Sequence, residues 1–372
     1  MNILPISQQN FKGYDARPLK GFLMSSNCHG IADEMAAIGK KENFKIFTAY
    51  DSTRGGTGEF IPPYKNSTEG LWAQDFWMMV KDKLMVFDCD KKSDSIKNFF
   101  KLKYDFTEKI VRETEEYTFL NNRLRNIMLK VFENPAYLSE YNAKQMIIRE
   151  LQDNAHIAGG NIYLINNGKE DEVLVGEYEL DKYTPDEIGG MYCANKVIAV
   201  PQMDFHLDLF IRPLDKKRIL LADDNLTLDV LKKHSSKYAK SFQYEMENNQ
   251  LAKTDDVAKI LENNGYEIIR VPGRIYVEGL KTPENNVYLG HKCNYINANV
   301  LKNSKGDLVY ITNKSDINKE VGFDFEKEFI DSISPYIKKE KIYFIHGKDN
   351  FVARKMLRDY HGGIHCTCTE VL

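Results

Sequence analysis

A histidine and an aspartate two residues apart could share acid–base chemistry. His206 and Asp208 stand in the sequence Phe-His-Leu-Asp-Leu, whose alternation predicts a strand with both polar side chains on one face. An imidazole transfers protons near neutral pH, and a carboxylate beside it can bind a cation. The same alternation also fits a strand that simply exposes a polar face to solvent. From these residues alone, both interpretations stay open.

Cys366 is a candidate nucleophile near the end of the sequence. It follows a glycine pair in Gly-Gly-Ile-His-Cys-Thr-Cys, where a thiol flanked by small and polar residues is accessible more often than a core thiol. A thiolate attacks electrophilic carbon well once its pKa is lowered. The alternative is a buried structural cysteine. The Cys-x-Cys spacing to Cys368 could bind metal, but no Cys-x-x-Cys pair completes a four-ligand site, so we predict none.

Three further polar segments attract attention. Asp75 lies inside the apolar, aromatic run around WAQD (72–75), where a carboxylate needs a partner or a cleft. GGN (159–161) precedes an apolar strand-like run, and paired glycines let the backbone approach a ligand or another chain segment. Asn297 could fix a substrate or a turn. Each segment also has an ordinary structural explanation. Asp75 could form an ion pair, GGN (159–161) could be a turn into a strand, and Asn297 could be a hydrogen-bonded polar residue at a strand end.

Short apolar runs that alternate with helical patterns must position these residues. Such an alternation indicates an α/β or α+β chain. A helix is predicted over 27–41 with Asn27 as its N-cap, and a hairpin around 304–307. The segment 92–153 is charged and nearly free of Gly and Pro, so we expect a helical insertion there. No glycine-rich nucleotide-binding sequence opens a helix, which argues against nucleotide cofactors.

Composition and charge exclude some classes of partner. The net charge of −3 shows no basic excess, so we expect no nucleic acid as partner. No apolar run is long enough to cross a membrane, and no signal peptide is evident. The default location is therefore cytoplasmic, with an exported effector as the alternative. A homo-oligomer is compatible with the sequence.

Taken in order, these segments resemble the guanidino-group-modifying enzymes of the pentein superfamily, which include agmatine, arginine and protein-arginine deiminases and amidinotransferases. The family shows a Trp-x-(Arg/Gln)-Asp element, a Gly-Gly or Gly-Asn element, His-x-Asp, and a final Gly-rich stretch with His-Cys. Here these elements are WAQD (72–75), GGN (159–161), HLD (206–208) and GGIHC (362–366), with YIN (295–297) as a further match. The resemblance covers the chain from about residue 70 onward.

The resemblance implies a fold and roles for residues. The fold would be an α/β-propeller of five ββαβ units around a central active site, formed as one catalytic domain over residues 1–372 with the insertion at 92–153. Asp75 and Asp208 would grip the guanidinium, Cys366 would attack its central carbon, and His206 would act as acid and then base. Asn297 would position Cys366 or the substrate. Substrate-binding positions would be Trp72, Gln74, Gly160, Asn161 and His365.

The implied activity is that of a hydrolase without a cofactor. Two details favour a protein-arginine deiminase that produces citrulline: Gln74 replaces the Arg of agmatine deiminases, and Ala158 stands where free-arginine and agmatine deiminases carry Glu. The substrate would then be an arginine-containing protein or peptide. A small-molecule guanidine hydrolase, an amidinotransferase and a catalytically inactive binding module on the same scaffold are the alternatives.

Overall fold

The computed structural model describes residues 21–25, 30–50, 74, 77–80, 83–86, 101–102, 157, 159–166, 170–192, 194–248, 251–281 and 287–371. Trp72, Asp75 and Ala158 lie outside the described residues, as does nearly all of the predicted insertion at 92–153. Of that segment only Lys101–Leu102 is described, as a short strand.

Seventeen strands are described, in this chain order: β1 (Gly21–Ser25), β2 (Lys45–Tyr50), β3 (Trp77–Val80), β4 (Lys83–Val86), β5 (Lys101–Leu102), β6 (Ile162–Asn166), β7 (Asp171–Gly176), β8 (Lys196–Val200), β9 (Ile211–Pro213), β10 (Arg218–Ala222), β11 (Glu267–Val271), β12 (Arg274–Lys281), β13 (Val287–Asn294), β14 (Asn299–Lys302), β15 (Leu308–Asn313), β16 (Ile342–Ile345) and β17 (Cys368–Val371). The α-helices of the described residues are α1 (Ile31–Glu42), α2 (Pro185–Met191), α3 (Asp224–Lys233), α4 (Tyr238–Asn248), α5 (Thr254–Asn263), α6 (Ile317–Val321) and α7 (Phe325–Ile333).

Three of the sheets repeat one ββαβ arrangement. In each, two strands form an antiparallel pair, one or more helices follow, and a third strand returns parallel to the second. The three sheets are β6–β7–β8 with α2, β9–β10–β11 with α3 to α5, and β14–β15–β16 with α6 and α7. A parallel return needs a crossover connection, which explains why the helices stand between the second and third strands.

A fourth sheet builds the same unit from distant parts of the chain. β1 pairs antiparallel with β17 and parallel with β2, and α1 connects β1 to β2. β17 therefore takes the place of the first strand of the unit. β5 extends this sheet beside β2, and two hairpins, β3–β4 and β12–β13, stand outside the four units.

The repeated units confirm the α/β class, and their sheets are small, with two to four strands each. The five-unit propeller stays a prediction. No helix of the described residues is long and apolar enough to cross a membrane.

Two apolar clusters hold the described sheets together. The larger joins the units that begin at β6, β9 and β14, and includes Leu174, Leu220 and Tyr310. The second joins the unit of β1 and β17 to strands β14 to β16, through residues such as Phe22 and Ile311. Because this second cluster fixes β17 against a neighbouring unit, it also fixes the segment that precedes β17 in the chain.

Two local predictions are wrong. The segment from Leu207 to Leu209 is a 3₁₀ turn, not a strand, and all three of its residues are buried, which a strand with one solvated face does not allow. The first helix begins at Ile31 after Gly30, whose φ of 81° favours glycine, so Asn27 is not the N-cap. The predicted hairpin around 304–307 is confirmed by the pairing of Lys302 with Leu308.

Candidate active site

Four of the sequence motifs occupy the same place in four different units. Gly159–Asn161 leads into β6, and residues 206–208 lead into β9. Residues 295–297 lead into β14, and His365–Thr367 leads into β17. Each motif therefore enters the first strand of its unit. The contacts between these segments bring residues from four distant parts of the chain into one cluster.

The Cys366 sulfur lies between a carboxylate and an amide. Its thiol donates to Asp208 Oδ2 over 3.0 Å, and Asn297 Nδ2 donates to Sγ over 3.1 Å. Cys366 is buried, with 8% of its surface exposed. Polar neighbours at hydrogen-bonding distance are unlike the apolar surroundings of a structural cysteine. Cys368 belongs to the apolar cluster with Phe22 and Met24, and its sulfur contacts the Thr367 hydroxyl at 3.4 Å instead of a carboxylate.

Two buried asparagines, Asn297 and Asn313, fix the loop that carries Cys366. Asn297 Oδ1 accepts the backbone N–H of His365 at 2.8 Å. Asn313 Oδ1 accepts the N–H of Ile364 at 2.8 Å, while its Nδ2 donates to the carbonyl groups of Asn294 and Asn297. Both amides are wholly buried. The position of the nucleophile candidate is therefore set by side-chain amides.

Asn294 extends this network to the segment that carries the acid and the imidazole. Its Nδ2 donates to the Leu209 carbonyl at 2.8 Å, and its Oδ1 accepts the N–H groups of Ile296 and Asn297. Sequence reasoning missed Asn294 and Asn313. The available signal was the position of both residues at the end of an apolar strand-like run, where a buried amide needs partners.

Asp208 is the point at which the motifs meet. Its side chain is wholly buried, and Oδ2 accepts both the Cys366 thiol and His365 Nδ1, the latter at 2.9 Å. A Cβ atom on Gly160 would lie 3.0 Å from Asp208 Oδ1 and 2.7 Å from His206 Nδ1. Only glycine leaves room there for the carboxylate and the imidazole, so Gly160 serves as a close-approach residue.

His206 is half-buried at the edge of this cluster. The Phe205 ring lies beside its imidazole, with ring centroids 4.5 Å apart. The backbone of His206 is extended before the turn at Leu207 begins. The imidazole therefore reaches both the Asp208 side of the cluster and solvent, which suits a group that exchanges protons.

Gln74 and His365 contact each other instead of an open cleft. Gln74 Nε2 lies 3.1 Å from His365 Nε2, and His365 is wholly buried. Gly159 lets Gln74 approach, because a Cβ on that glycine would lie 2.3 Å from the Gln74 Cβ. The predicted substrate-binding residues Gln74 and His365 are therefore both buried, and His365 contacts the Asp208 carboxylate.

Asn161, another predicted substrate-binding residue, is buried and bonds to a neighbouring side chain. Its Nδ2 donates to Glu179 Oε1 at 2.9 Å, and a Cβ on Gly176 would lie 2.3 Å from its Oδ1. The amide therefore links the segment before β6 to the turn after β7. The predicted roles of Trp72 and Asp75 concern residues outside the described ranges.

Burial and charge set the protonation of the cysteine and of the histidine beside it. Burial, followed by the charge of Asp208, raises the pKa of the Cys366 thiol well above its ordinary value, although Asn297 opposes this. Burial, followed by the charge of Arg212, lowers the pKa of His365 well below its ordinary value. Both shifts favour the uncharged form of the side chain, the thiol for Cys366 and the neutral imidazole for His365.

A separate ionic cluster supports the segment just before His206. Arg274 donates to Asp224 and to Asp204 Oδ2, and His291 Nε2 contacts Asp204 at 2.9 Å. A cavity of about 520 Å³ opens beside this cluster, lined by Asp224, Arg274 and Tyr276 among others, but by neither Cys366 nor His206. The cavity lies apart from the motif residues. Across the described ranges, no group of three or more His, Cys, Asp or Glu side chains is arranged to hold a metal ion.

Solved structures of deiminases resemble the chain. An agmatine deiminase from C. jejuni aligns at 16% identity and a TM-score of 0.36, over 58% of this chain and 56% of its own. An agmatine deiminase of Enterococcus faecalis aligns at 13% identity and a TM-score of 0.35, over 61% of each chain. A presumed agmatine deiminase aligns over 97% of this chain and 95% of its own, at 12% identity and a TM-score of 0.49.

The aligned part spans only about half the length of the C. jejuni enzyme. These are enzymes of the group that the sequence motifs indicate. No protein-family model matches the chain. No curated protein sequence matches it.

Proposed function

We propose that the chain hydrolyses a guanidinium group through a covalent intermediate on Cys366. The observation that carries the proposal is the contact of a buried thiol with a buried carboxylate, at 3.0 Å between Cys366 Sγ and Asp208 Oδ2. A carboxylate beside a nucleophile suits a cationic electrophile, because the same charge that binds the substrate places its carbon against the sulfur. We take Asp75 as the second acid that grips the guanidinium.

The chemistry divides into two steps. The Cys366 thiol gives its proton to His206 as Sγ attacks the central guanidinium carbon, and the tetrahedral adduct collapses as one C–N bond breaks and the leaving amine takes that proton from His206. A thiouronium remains on the sulfur. His206 then accepts a proton from water, which attacks the same carbon. The C–S bond breaks to release a ureido product, and His206 returns the proton to the Cys366 thiolate. The half-buried position of His206 supports this exchange with solvent.

Substrate binding would also prepare the nucleophile. The charge of Asp208 contributes to the raised pKa of the Cys366 thiol, second only to burial. A guanidinium paired with Asp208 offsets that charge, so the pKa of the thiol falls when the substrate binds. The thiolate then forms against its target carbon, and an empty site keeps a protonated, less reactive cysteine.

We further propose peptidyl arginine as the substrate, converted to citrulline with release of ammonia. The support is in the sequence: Ala158 provides no carboxylate before the glycine pair, so one anchor for a free amino acid or an amine-bearing guanidine is missing. A peptidyl arginine needs no such anchor, since its backbone nitrogen carries no charge.

The decisive experiment is a citrulline and ammonia assay on an arginine peptide, free arginine and agmatine. Citrulline from the peptide alone supports both proposals. Turnover of a small guanidine alone keeps the reaction class and rejects the peptide. A requirement for an added amine indicates amidino transfer, and no turnover of any guanidine favours a binding module.

Cys366→Ser and Cys368→Ser form a matched pair for this assay. The first should abolish turnover with little change in thermal stability, because only Cys366 contacts the acid and the amide. The second should retain turnover. The opposite order would reassign the nucleophile to Cys368.

A further inference from the structure

The segment that carries His206 lies outside the helices and strands. β8 ends at Val200 and the 3₁₀ turn begins at Leu207, so residues 201–206 connect the two without a ladder of backbone hydrogen bonds. The N–H and C=O groups of such a partly buried segment need partners from elsewhere in the protein. The wholly buried side chain of Gln202 bonds two of these carbonyl groups.

The Gln202 amide holds the peptide bond that leads into His206. Its Nε2 donates to the Phe205 carbonyl at 2.7 Å and to the Asp204 carbonyl at 3.0 Å. Its Oε1 accepts the N–H of Tyr178 at 3.2 Å. These contacts assign the orientation of the amide, because a carbonyl oxygen only accepts and a backbone N–H only donates. The amide therefore acts on the backbone next to the imidazole.

The backbone of Gln202 is itself fixed by two neighbouring segments. Its N–H donates to Glu177 Oε1 at 3.1 Å, and its carbonyl accepts the N–H of Ala252 at 3.0 Å. β7 ends beside the amide at Gly176, where an added Cβ would lie 2.5 Å from Gln202 Oε1. Glycine at that position leaves room for the amide between the turn after β7 and the segment that carries His206.

We propose that Gln202 is a positioning residue that sets the place of the His206 imidazole. The inference rests on the proposed function in so far as His206 transfers the protons of the reaction. Asp208, two residues further on, has its own contacts with Cys366 and His365. Loss of the Gln202 amide therefore displaces the imidazole more than the carboxylate, and it affects proton transfer more than binding of the guanidinium.

Gln202→Met keeps the length of the side chain and removes all three hydrogen bonds of the amide. The kcat for the guanidine substrate should fall about tenfold to a hundredfold, because displacement of a catalytic group by about 1 Å costs on the order of a hundredfold in rate. KM should change little, since Asp208 keeps its contacts. A wild-type kcat, or a loss that lies entirely in KM, would overturn the proposal.

Asn303→Ala is the matched control for a loss of stability alone. Asn303 lies between β14 and β15, and its buried side chain also makes three hydrogen bonds, one to Glu42 and two to backbone N–H groups. Urea denaturation should show a destabilised protein, while kcat of the folded variant stays near the wild-type value. Equal losses of kcat in the two variants at matched stability would show that Gln202 acts through folding alone.

Gln202→Asn keeps the proposal testable where Gln202→Met does not fold. The substitution retains an amide but shortens the side chain by one methylene group, so its nitrogen falls short of the Phe205 carbonyl. We expect a smaller fall in kcat, again with little change in KM. A wild-type kcat in this variant would count against the positioning role in the same way.

Carbon–proton NMR of the His206 ring tests its position without any substrate. The Phe205 ring lies 4.5 Å from the imidazole between ring centroids, so its ring current makes the Cε1–H signal sensitive to a small displacement. His206→Gln identifies the signal by its loss. Either substitution of Gln202 should shift the signal, and Asn303→Ala should leave it in place. An unchanged signal in the Gln202 variants would overturn the proposal.

The two proposals fail in different ways. If the wild type turns over no guanidine, the proposed function fails, and the NMR experiment still decides whether Gln202 positions the imidazole. If the wild type is active and the Gln202 variants keep both its kcat and its His206 signal, the positioning proposal fails and the proposed function stands.

Discussion

Asn297 holds Cys366 from two sides: its Nδ2 donates to the sulfur at 3.1 Å, and its Oδ1 accepts the N–H of the preceding residue at 2.8 Å. One amide therefore fixes both the position of the thiol and the backbone that carries it. On the other side of the sulfur stands the Asp208 carboxylate. Two side chains of similar shape therefore act on one thiol in opposite directions: the Asp208 carboxylate raises the pKa of Cys366, and the Asn297 amide lowers it.

Asp208→Asn should lower the pKa of the Cys366 thiol. Burial raises this pKa first, and the charge of Asp208 raises it further, so an isosteric neutral side chain removes the second cause. The rate of Cys366 alkylation by iodoacetamide, followed by peptide mass spectrometry as a function of pH, measures the change. The midpoint should move to lower pH.

The matched control for this experiment is Asn297→Asp. It replaces a donor, which lowers the pKa of the thiol, with a second carboxylate. The alkylation midpoint should therefore move to higher pH than in the wild type. Shifts in the same direction for both variants would show that charge at these two positions does not control the thiol.

Asn313→Ala should destabilise the fold because three buried backbone groups lose the Asn313 amide as a partner, and of these the Asn297 carbonyl keeps the Thr312 hydroxyl at 3.4 Å. The amide of Asn313 bonds the N–H of Ile364 and the carbonyl groups of Asn294 and Asn297. Each unsatisfied buried group costs about 1–3 kcal/mol, so we expect a loss of about 3 kcal/mol or more. Urea denaturation gives the value. The exposed Asn263 is the control, where alanine should change stability by less than about 0.5 kcal/mol.

The sequence predicts local features of this fold well. The hairpin of β14 and β15 follows from two apolar runs around a turn sequence, and the α/β class follows from the alternation of strand and helix patterns. The segment at Leu207–Leu209 misleads, because its alternating apolar residues fit both an amphipathic strand and a short turn with every side chain inside. Burial by the rest of the protein decides between the two.

The site was less predictable than the elements around it. The motif residues at 206, 208, 297 and 366 were identified by their order and by the resemblance that order gives. The partners Asn294 and Asn313 have no periodic signal, because a buried amide is chosen by backbone groups far away in the chain. The contact of Gln74 with His365 joins residues 291 positions apart, and no local pattern encodes it.

Gly160→Ala should reduce activity more than stability. The added Cβ would lie 2.7 Å from His206 Nδ1 and 3.0 Å from Asp208 Oδ1, so the imidazole and the carboxylate must move apart. Displacement of catalytic groups by about 1 Å costs on the order of a hundredfold in rate. We expect that loss in kcat/KM with a small change in the thermal midpoint.

Gly189→Ala is the control for this substitution. Gly189 lies in helix α2, and a Cβ atom added there would lie 3.1 Å from the Ala194 carbonyl oxygen. A shift of a few tenths of an ångström in the backbone relieves that contact. This control should leave kcat/KM near the wild-type value. Full activity of Gly160→Ala would show that His206 and Asp208 do not need the close approach.

Glu42→Gln should destabilise the protein in a pH-dependent way. Glu42, at the end of α1, accepts bonds from Lys341, Asn303 and Tyr343, and so ties the unit of β1 and β17 to the unit of β14 to β16. Burial alone would raise the pKa of this carboxyl, but these bonds outweigh it, so the pKa is lowered from 4.5. A lowered folded-state pKa means that the contribution to stability is present above pH 4.5 and is lost as the pH falls through the folded-state value.

The difference between Glu42→Gln and the wild type should thus be largest near neutral pH, at about 2 kcal/mol, as for a hydrogen-bonded buried charge. It should shrink as the pH falls below 4.5 and be lost as the pH passes the lowered folded-state pKa, where the wild-type carboxyl becomes protonated. Urea denaturation across this range measures the difference, with the exposed Glu340→Gln as a control that should stay near zero throughout. A deficit that is constant with pH would mean that the side chain stabilises the contact between the two units through packing and not through its ionisation.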